Sequence, residues 1–391
     1  MSRISPLLAA ALLAAAGAHA RCPAGLDAFA GPGRFGVGVR TLPLVDTSRS
    51  TPAHGTHPAL PSRTLTTEVW YPTPSTGAAA PLRNANRAAG RFPLVVSAHG
   101  LLDNRLGESY WAIALASRGF VVAAPDFPLT NTTTPPPVHL ADIVNQPGDV
   151  SFVVDQLLAL AQTRGSWLAG GVDPRRIGVT GLSYGGYTTV LVAYHPTLRD
   201  RRIRAALPVA PVGCYESAQF YDYARPPLLV LQGDQDLLLP FATNGVRVFE
   251  RSRSPRELVE LVDGTHTAFS GFVTAPSATS YDAIGCAAVE SALASADATG
   301  AVAPLLSPPA GLLDTNGCAL PCTGPVPANA PMAASRQHQL ATAVVAAFFQ
   351  AAFQHDAAAR CFLRRGLAAD AADVKVTHAT ARPLPRGHRK R

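Results

Sequence analysis

The chain has 391 residues and a formal net charge of +7, from 33 basic and 26 acidic side chains. The excess lies at the two ends: Arg3 near the start, and Arg382, Arg386, Arg389, Lys390 and Arg391 in the last ten residues. Residues 21–381 are close to neutral, so the composition excludes nucleic acid as an expected partner, and 382–391 read as a solvated basic tail.

In chain order, Met1-Ser2-Arg3 precedes an apolar run from Leu7 to Ala20 that ends Gly17-Ala18-His19-Ala20. A short basic start, a run too short to span a bilayer and an A-x-A end predict a secretory signal peptide, residues 1–20, cleaved after Ala20. The expected location is secreted or periplasmic. In that compartment the six cysteines, Cys22, Cys214, Cys286, Cys318, Cys322 and Cys361, are expected to form up to three disulfides, whose pairing the sequence leaves open. No second Cys/His pair stands at ligand spacing, so no metal is expected. Ala341–Phe353 is apolar but interrupted by Gln350, which fits a buried helix better than an integral membrane segment.

Residues 21–62 are rich in Gly, Pro and Ser, with one strand expected near Phe35–Leu44. Leu65–Tyr71 alternates as a strand, with Trp70 and Tyr71 expected in the core, and Phe92–Ala98 is an apolar run suited to a buried parallel strand. A helix over Ser109–Ser117, a strand over Phe120–Ala124, a Thr/Pro loop over Thr130–Pro137 and a helix over Asp149–Gln162 follow. Ile177–Thr180 reads as a strand, Tyr187–Tyr194 as a helix, and Ile203–Val209, Leu228–Gln232 and Leu258–Val262 as strands, with a helix around Thr243–Arg251. Strands alternating with helices imply one α/β domain over 21–381, built on a mostly parallel sheet covered on both faces. Such sheets place their site at the C-terminal ends of the strands. Residues 271–334 break the alternation as a Cys-containing insertion that is a possible cap, and Ser335–Phe353 returns to an amphipathic helix.

Between the strand ending at Thr180 and the next helix stands Gly181-Leu182-Ser183-Tyr184-Gly185-Gly186. A chain that turns this sharply from strand to helix pushes the serine hydroxyl out at the sheet edge, and Gly181 and Gly185 leave room for the close approach. Ser183 is therefore a candidate nucleophile, in need of a base, a group to orient it and donors for an oxyanion. Asp234 and Asp236 compete for the acid after the strand Leu228–Gln232. Asp236 has the favoured spacing, and Asp234 reads as a turn residue. His266, in Gly264-Thr265-His266-Thr267-Ala268-Phe269, is the candidate base. The amides of Leu101, after the turn at Gly100, and of Tyr184 are the candidate oxyanion donors, and Leu102, Asp103 and Asn104 are candidate pocket residues. His195 reads as a helix-end cap, His99 as structural, His338 and His355 as solvent-facing, and Asp126 as a loop-fixing carboxylate. The Tyr184 ring either meets substrate or fills space.

With these motifs the chain resembles the α/β-hydrolase superfamily and, more narrowly, predicted dienelactone hydrolases and platelet-activating-factor acetylhydrolase-like esterases. The resemblance is carried by Val69–Pro72, Ser97–Leu101, Leu115–Asp126, Asp149–Leu158, Gly181–Gly186, Leu228–Asp236 and Gly264–Phe269. It implies a Ser183–Asp236–His266 triad, no cofactor and a small-molecule or lipid ester as substrate. The chain departs from dienelactone hydrolases in having serine, not cysteine, as nucleophile, and Phe127 stands where the family tends to have histidine. The elbow Ser183–Tyr187 (SYGGY) also resembles prolyl-oligopeptidases, whose large N-terminal domain does not fit in 21–64. A catalytically inactive hydrolase used for binding is the remaining alternative.

Overall fold

In the computed structural model the described residues are 22–74, 80–134, 138–275, 277, 280–295 and 312–383; the expected signal peptide and residues 384–391 of the tail lie outside them. Apolar runs alternate with amphipathic stretches because the central strands are buried on both faces. In Phe92–Ala98 every residue is buried, with Val95 in one core and Leu94 and Val96 in the other.

The strands are β1 (Gly36–Asp46), β2 (Arg63–Thr73), β3 (Leu82–Arg83), β4 (Phe92–Ala98), β5 (Val121–Pro125), β6 (Val172–Leu182), β7 (Ile203–Val209), β8 (Leu228–Gly233), β9 (Arg256–Leu261) and β10 (Val374–Ala379). They form one sheet in the order β10-β9-β8-β7-β6-β4-β5-β2-β1-β3. The run β5-β4-β6-β7-β8-β9 is parallel, while β2 lies antiparallel to both β5 and β1, and β10 antiparallel to β9.

The helices are α1 (Leu26–Ala30), α2 (Ser109–Ser117), α3 (Gln146–Gln162), α4 (Tyr184–Tyr194), α5 (Gly245–Arg251), α6 (Asp282–Ser295) and α7 (Ala334–Phe353), followed by a short helical stretch over 357–370. One face of the sheet packs against α1, α2 and α7 through Phe29, Trp111, Leu115, Leu340 and Phe349. The other packs against α3, α4 and α5 through Val153, Leu157, Leu191 and Val248. This is the mostly parallel sheet covered on both faces expected from the alternation, and the α/β-hydrolase architecture that the resemblance implies.

The expected elements recur with small shifts of boundary; the Thr243–Arg251 helix, for example, is a 3-10 turn over Phe241–Thr243 and then α5. Some features were not expected, β3 and the helical stretch over 357–370 among them. β10 closes the far edge of the sheet, α1 lies under α7, and residues 271–334 contain an ordered helix, α6. Disulfides join Cys22 to Cys361, Cys214 to Cys318 and Cys286 to Cys322. Arg382, expected in the free tail, is instead docked: its amide bonds to Arg253 O and its guanidinium donates to Ser252 O and Glu250 O. Among the described residues no helix is long and apolar enough to cross a membrane.

Candidate active site

Ser183 sits between β6 and α4 with φ 57° and ψ −115°, a left-handed conformation that costs a non-glycine residue about 1–3 kcal/mol. The neighbours allow nothing else. A Cβ on Gly185 would lie 2.0 Å from Ala98 O, and one on Gly181 would lie 2.5 Å from Gly185 O. The Ser183 amide donates to Val209 O at 2.9 Å, which ties the elbow to the end of β7.

The loops after β8 and β9 bring the candidate acid and base together. Gly233 and Gly264 meet backbone to backbone, since a Cβ on Gly233 would lie 2.2 Å from Gly264 O. His266 Nδ1 lies 2.8 Å from Asp236 Oδ2, and both residues are 4% exposed. A carboxylate only accepts, so Nδ1 carries the proton and Nε2 is the free basic nitrogen. Asp236 is itself held: Oδ1 accepts from the Leu239 amide at 2.7 Å and Oδ2 from the fully buried Gln232 side-chain amide at 2.9 Å. Asp234 faces away and accepts from the Asp263 amide at 2.8 Å, in keeping with its reading as a turn residue.

Burial opposes charge on the His266 imidazole. The charge and hydrogen bond of Asp236, with a smaller contribution from Asp282, outweigh that effect, so the His266 pKa lies above the ordinary value. Burial likewise raises the Asp236 carboxyl, an effect that His266 and the Leu239 amide reduce.

The loop that carries the candidate oxyanion donor Leu101 follows β4. A Cβ on Gly100 would lie 3.5 Å from Ser183 Cβ, so the turn abuts the elbow. Asp103 N donates to Gly100 O at 3.2 Å across Leu101 and Leu102, with Leu102 at φ 59°, the third turn position that usually calls for glycine. The Leu102 amide is taken by Thr130 O at 2.9 Å, whereas among the described residues no protein hydrogen bond takes the Leu101 amide. Tyr184 opens α4, so its amide has no acceptor within the helix. Beneath the turn, His99 accepts from Phe127 N at 3.0 Å through Nε2 and therefore donates from Nδ1 to Gly100 O at 2.7 Å. Burial holds this imidazole neutral.

Two pocket candidates are otherwise engaged. Asp103 is buried and shares a hydrogen bond with Glu108, whose carboxyl burial drives well above the usual range, so Glu108 is the donor. Asn104 accepts from Leu106 N at 2.9 Å and donates to Thr132 Oγ1 at 3.2 Å. Both carboxamide and carboxylate therefore shape the loop. The Tyr184 ring is buried and its hydroxyl donates to Leu140 O, which is the space-filling reading.

Trp70 and Tyr71 lie in the core, Asp126 fixes Arg105 by an ion pair at 2.6 Å, and His195 accepts from the Leu198 amide at 3.1 Å. His355 is exposed, but His338, expected in solvent, is half-buried: it stacks on Tyr110 and its Nε2 donates to Ser270 O at 3.1 Å. A cavity of about 670 Å³ at the opposite strand ends, between Phe29, Arg34, Phe92 and Arg118, has none of Ser183, Asp236 or His266 in its walls.

Sequence reasoning passed over two residues. Gln232 is readable in retrospect as a polar side chain closing an apolar strand. Asp282 carries no local signal, and it accepts from the amides of Leu237, His266 and Thr267.

A family model for PETase, described as PET hydrolase-like, matches residues 66–280, more than half of the chain. The chain belongs to the PET hydrolase-like family. That family covers β2 through the base loop and makes the chain an esterase-type hydrolase of the α/β-hydrolase class. Among solved structures it is similar to a ferulic acid esterase from Streptomyces cinnamoneus, with 24% identity and a TM-score of 0.57 over 84% of this chain and 93% of that one, a likeness of fold. No curated protein sequence matches it. The PET hydrolase-like region ends just before α6, which with Cys286 and Cys322 lies beyond the match.

Proposed function

We propose that the chain is an exported serine carboxylic-ester hydrolase working through an acyl-enzyme on Ser183. The observation that carries this reading is the buried 2.8 Å pair of His266 and Asp236 at the strand edge where Ser183 is held at φ 57°. Ser183 Oγ attacks the ester carbonyl while His266 Nε2 takes its proton, and Asp236 holds the tautomer and the imidazolium. The amides of Leu101 and Tyr184 receive the oxyanion, where one such donor contributes about 10²–10³ in rate. His266 then protonates the leaving alcohol and activates the water that frees Ser183.

Carboxylic esters, small-molecule or lipid, are the substrate class. The PET hydrolase-like family and the ferulic acid esterase, both named for ester cleavage, support it. Export is supported by the signal-like N-terminus and by three disulfides. Purified Ser183→Ala is expected to lose p-nitrophenyl acetate and butyrate hydrolysis by at least about 10⁴-fold with an unchanged circular dichroism spectrum. Retained hydrolysis by that variant removes Ser183 as nucleophile, and cleavage of proline-containing amides in preference to esters favours the peptidase reading.

A further inference from the structure

We propose that Asp282, the first residue of α6, is a positioning residue that holds the acid loop and the base loop in register through its carboxylate. The inference rests on the ester-hydrolase reading above and adds to it a residue beyond the region matched by the family. Asp282 is fully buried and spans the two loops. Its Oδ2 accepts from Leu237 N at 2.9 Å, one residue after Asp236, and from His266 N at 3.2 Å. Its Oδ1 accepts from Thr267 N at 2.7 Å. Three backbone donors from segments about thirty residues apart thus converge on one side chain. Without it they would be buried amides lacking a partner, a costly state.

The rest of the segment keeps Asp282 in place. Ser280 Oγ accepts from its amide at 3.1 Å. One turn on, Gly285 is needed for close packing, because a Cβ there would lie 2.4 Å from Thr267 Oγ1 and 3.1 Å from Leu238 Cδ2. Cys286 is bonded to Cys322, and the Cys322 amide donates to Leu237 O at 2.8 Å. Leu237 is therefore gripped from both sides, its N–H by Asp282 and its carbonyl by the strand of chain that the disulfide ties to α6. Through these links the described residues of the insertion are tied to the acid loop.

The charge of Asp282 has a second consequence. Two titratable side chains favour the His266 imidazolium, Asp236 from the β8 loop and Asp282 from α6, while burial opposes it. Loss of the Asp282 charge therefore lowers the pH at which His266 protonates.

The test compares full-length Asp282→Asn and Asp282→Glu with the parent. Asp282→Asn keeps the shape and loses the charge and one acceptor. Its kcat on p-nitrophenyl butyrate is expected to fall about 10- to 100-fold with KM within about twofold, as for a misplaced catalytic pair. The His266 titration, followed by imidazole NMR without substrate, is expected to move to lower pH. Asp282→Glu keeps the charge with a longer arm, so the titration returns toward the parent while kcat stays reduced. Parent-like kcat and His266 titration in a folded Asp282→Asn overturn the proposal, and so does parent-like kcat in Asp282→Glu if the Asn variant does not fold. The NMR titration needs no turnover, so failure of the ester reading and failure of this one remain separable.

Discussion

The elbow and the loops that carry Asp236 and His266 all follow the C-terminal ends of parallel strands, yet they are fixed by different means. At the elbow the backbone itself leaves no freedom: Ala98, Gly181 and Gly185 approach so closely that a single added methyl collides at 2.0 Å. Around Asp236 and His266 the close approach of Gly233 to Gly264 is joined by side chains and a covalent link: Gln232 four residues away, and Asp282 and the Cys286–Cys322 disulfide from farther along the chain. A local steric lock leaves a short motif in the sequence. A lock assembled from distant residues leaves none.

The comparison breaks first at Gly185. Gly185→Ala places its Cβ against backbone atoms that have no rotamer to yield, and a loss of about 3 kcal/mol or more in chemical denaturation is expected. A variant as stable as the parent would mean the elbow is looser than its contacts imply. On the other side, Cys286→Ser combined with Cys322→Ser is expected to cost about 2 kcal/mol. It should also lower kcat several-fold while fluorophosphonate still reaches Ser183. An unchanged kcat would show that the insertion does not hold the acid loop. The smallest effect expected is in the pH profile. Asp236 favours the imidazolium, and in the proposed mechanism only neutral His266 serves as base, so activity is expected to be lost as pH falls through a raised pKa. The acid limb of kcat/KM is expected above about 6.5, the ordinary imidazole value; a midpoint below it would contradict the buried pair.

Much of the fold is legible for the same reason that the elbow is. β4, α2 and β7 coincide with their expected limits because their apolar patterns are uninterrupted. β10 escapes notice because Val374–Ala379 is an edge strand in which only Val374 is buried, so no hydrophobic run announces it. The disulfide pairing depends on chain reversals that composition does not encode. At the site, spacing favours Asp236 over Asp234, and the structure brings Asp236 to His266. The same reasoning assigns Asp103 and Asn104 to the pocket because they follow the oxyanion turn. It cannot see Glu108 and Thr132 waiting to bind them. Helical periodicity alone places His338 in solvent, without the Tyr110 ring that covers it.

The central claim is that Ser183 is a nucleophile activated by His266, and covalent labelling tests it most directly. The purified protein is treated with a fluorophosphonate and the adduct is mapped by peptide mass spectrometry. A single adduct on the peptide containing Ser183 is predicted, absent in Ser183→Ala and formed at least about 10²-fold more slowly in His266→Ala. An adduct at another residue, or none on a preparation that cleaves p-nitrophenyl butyrate, would contradict the account.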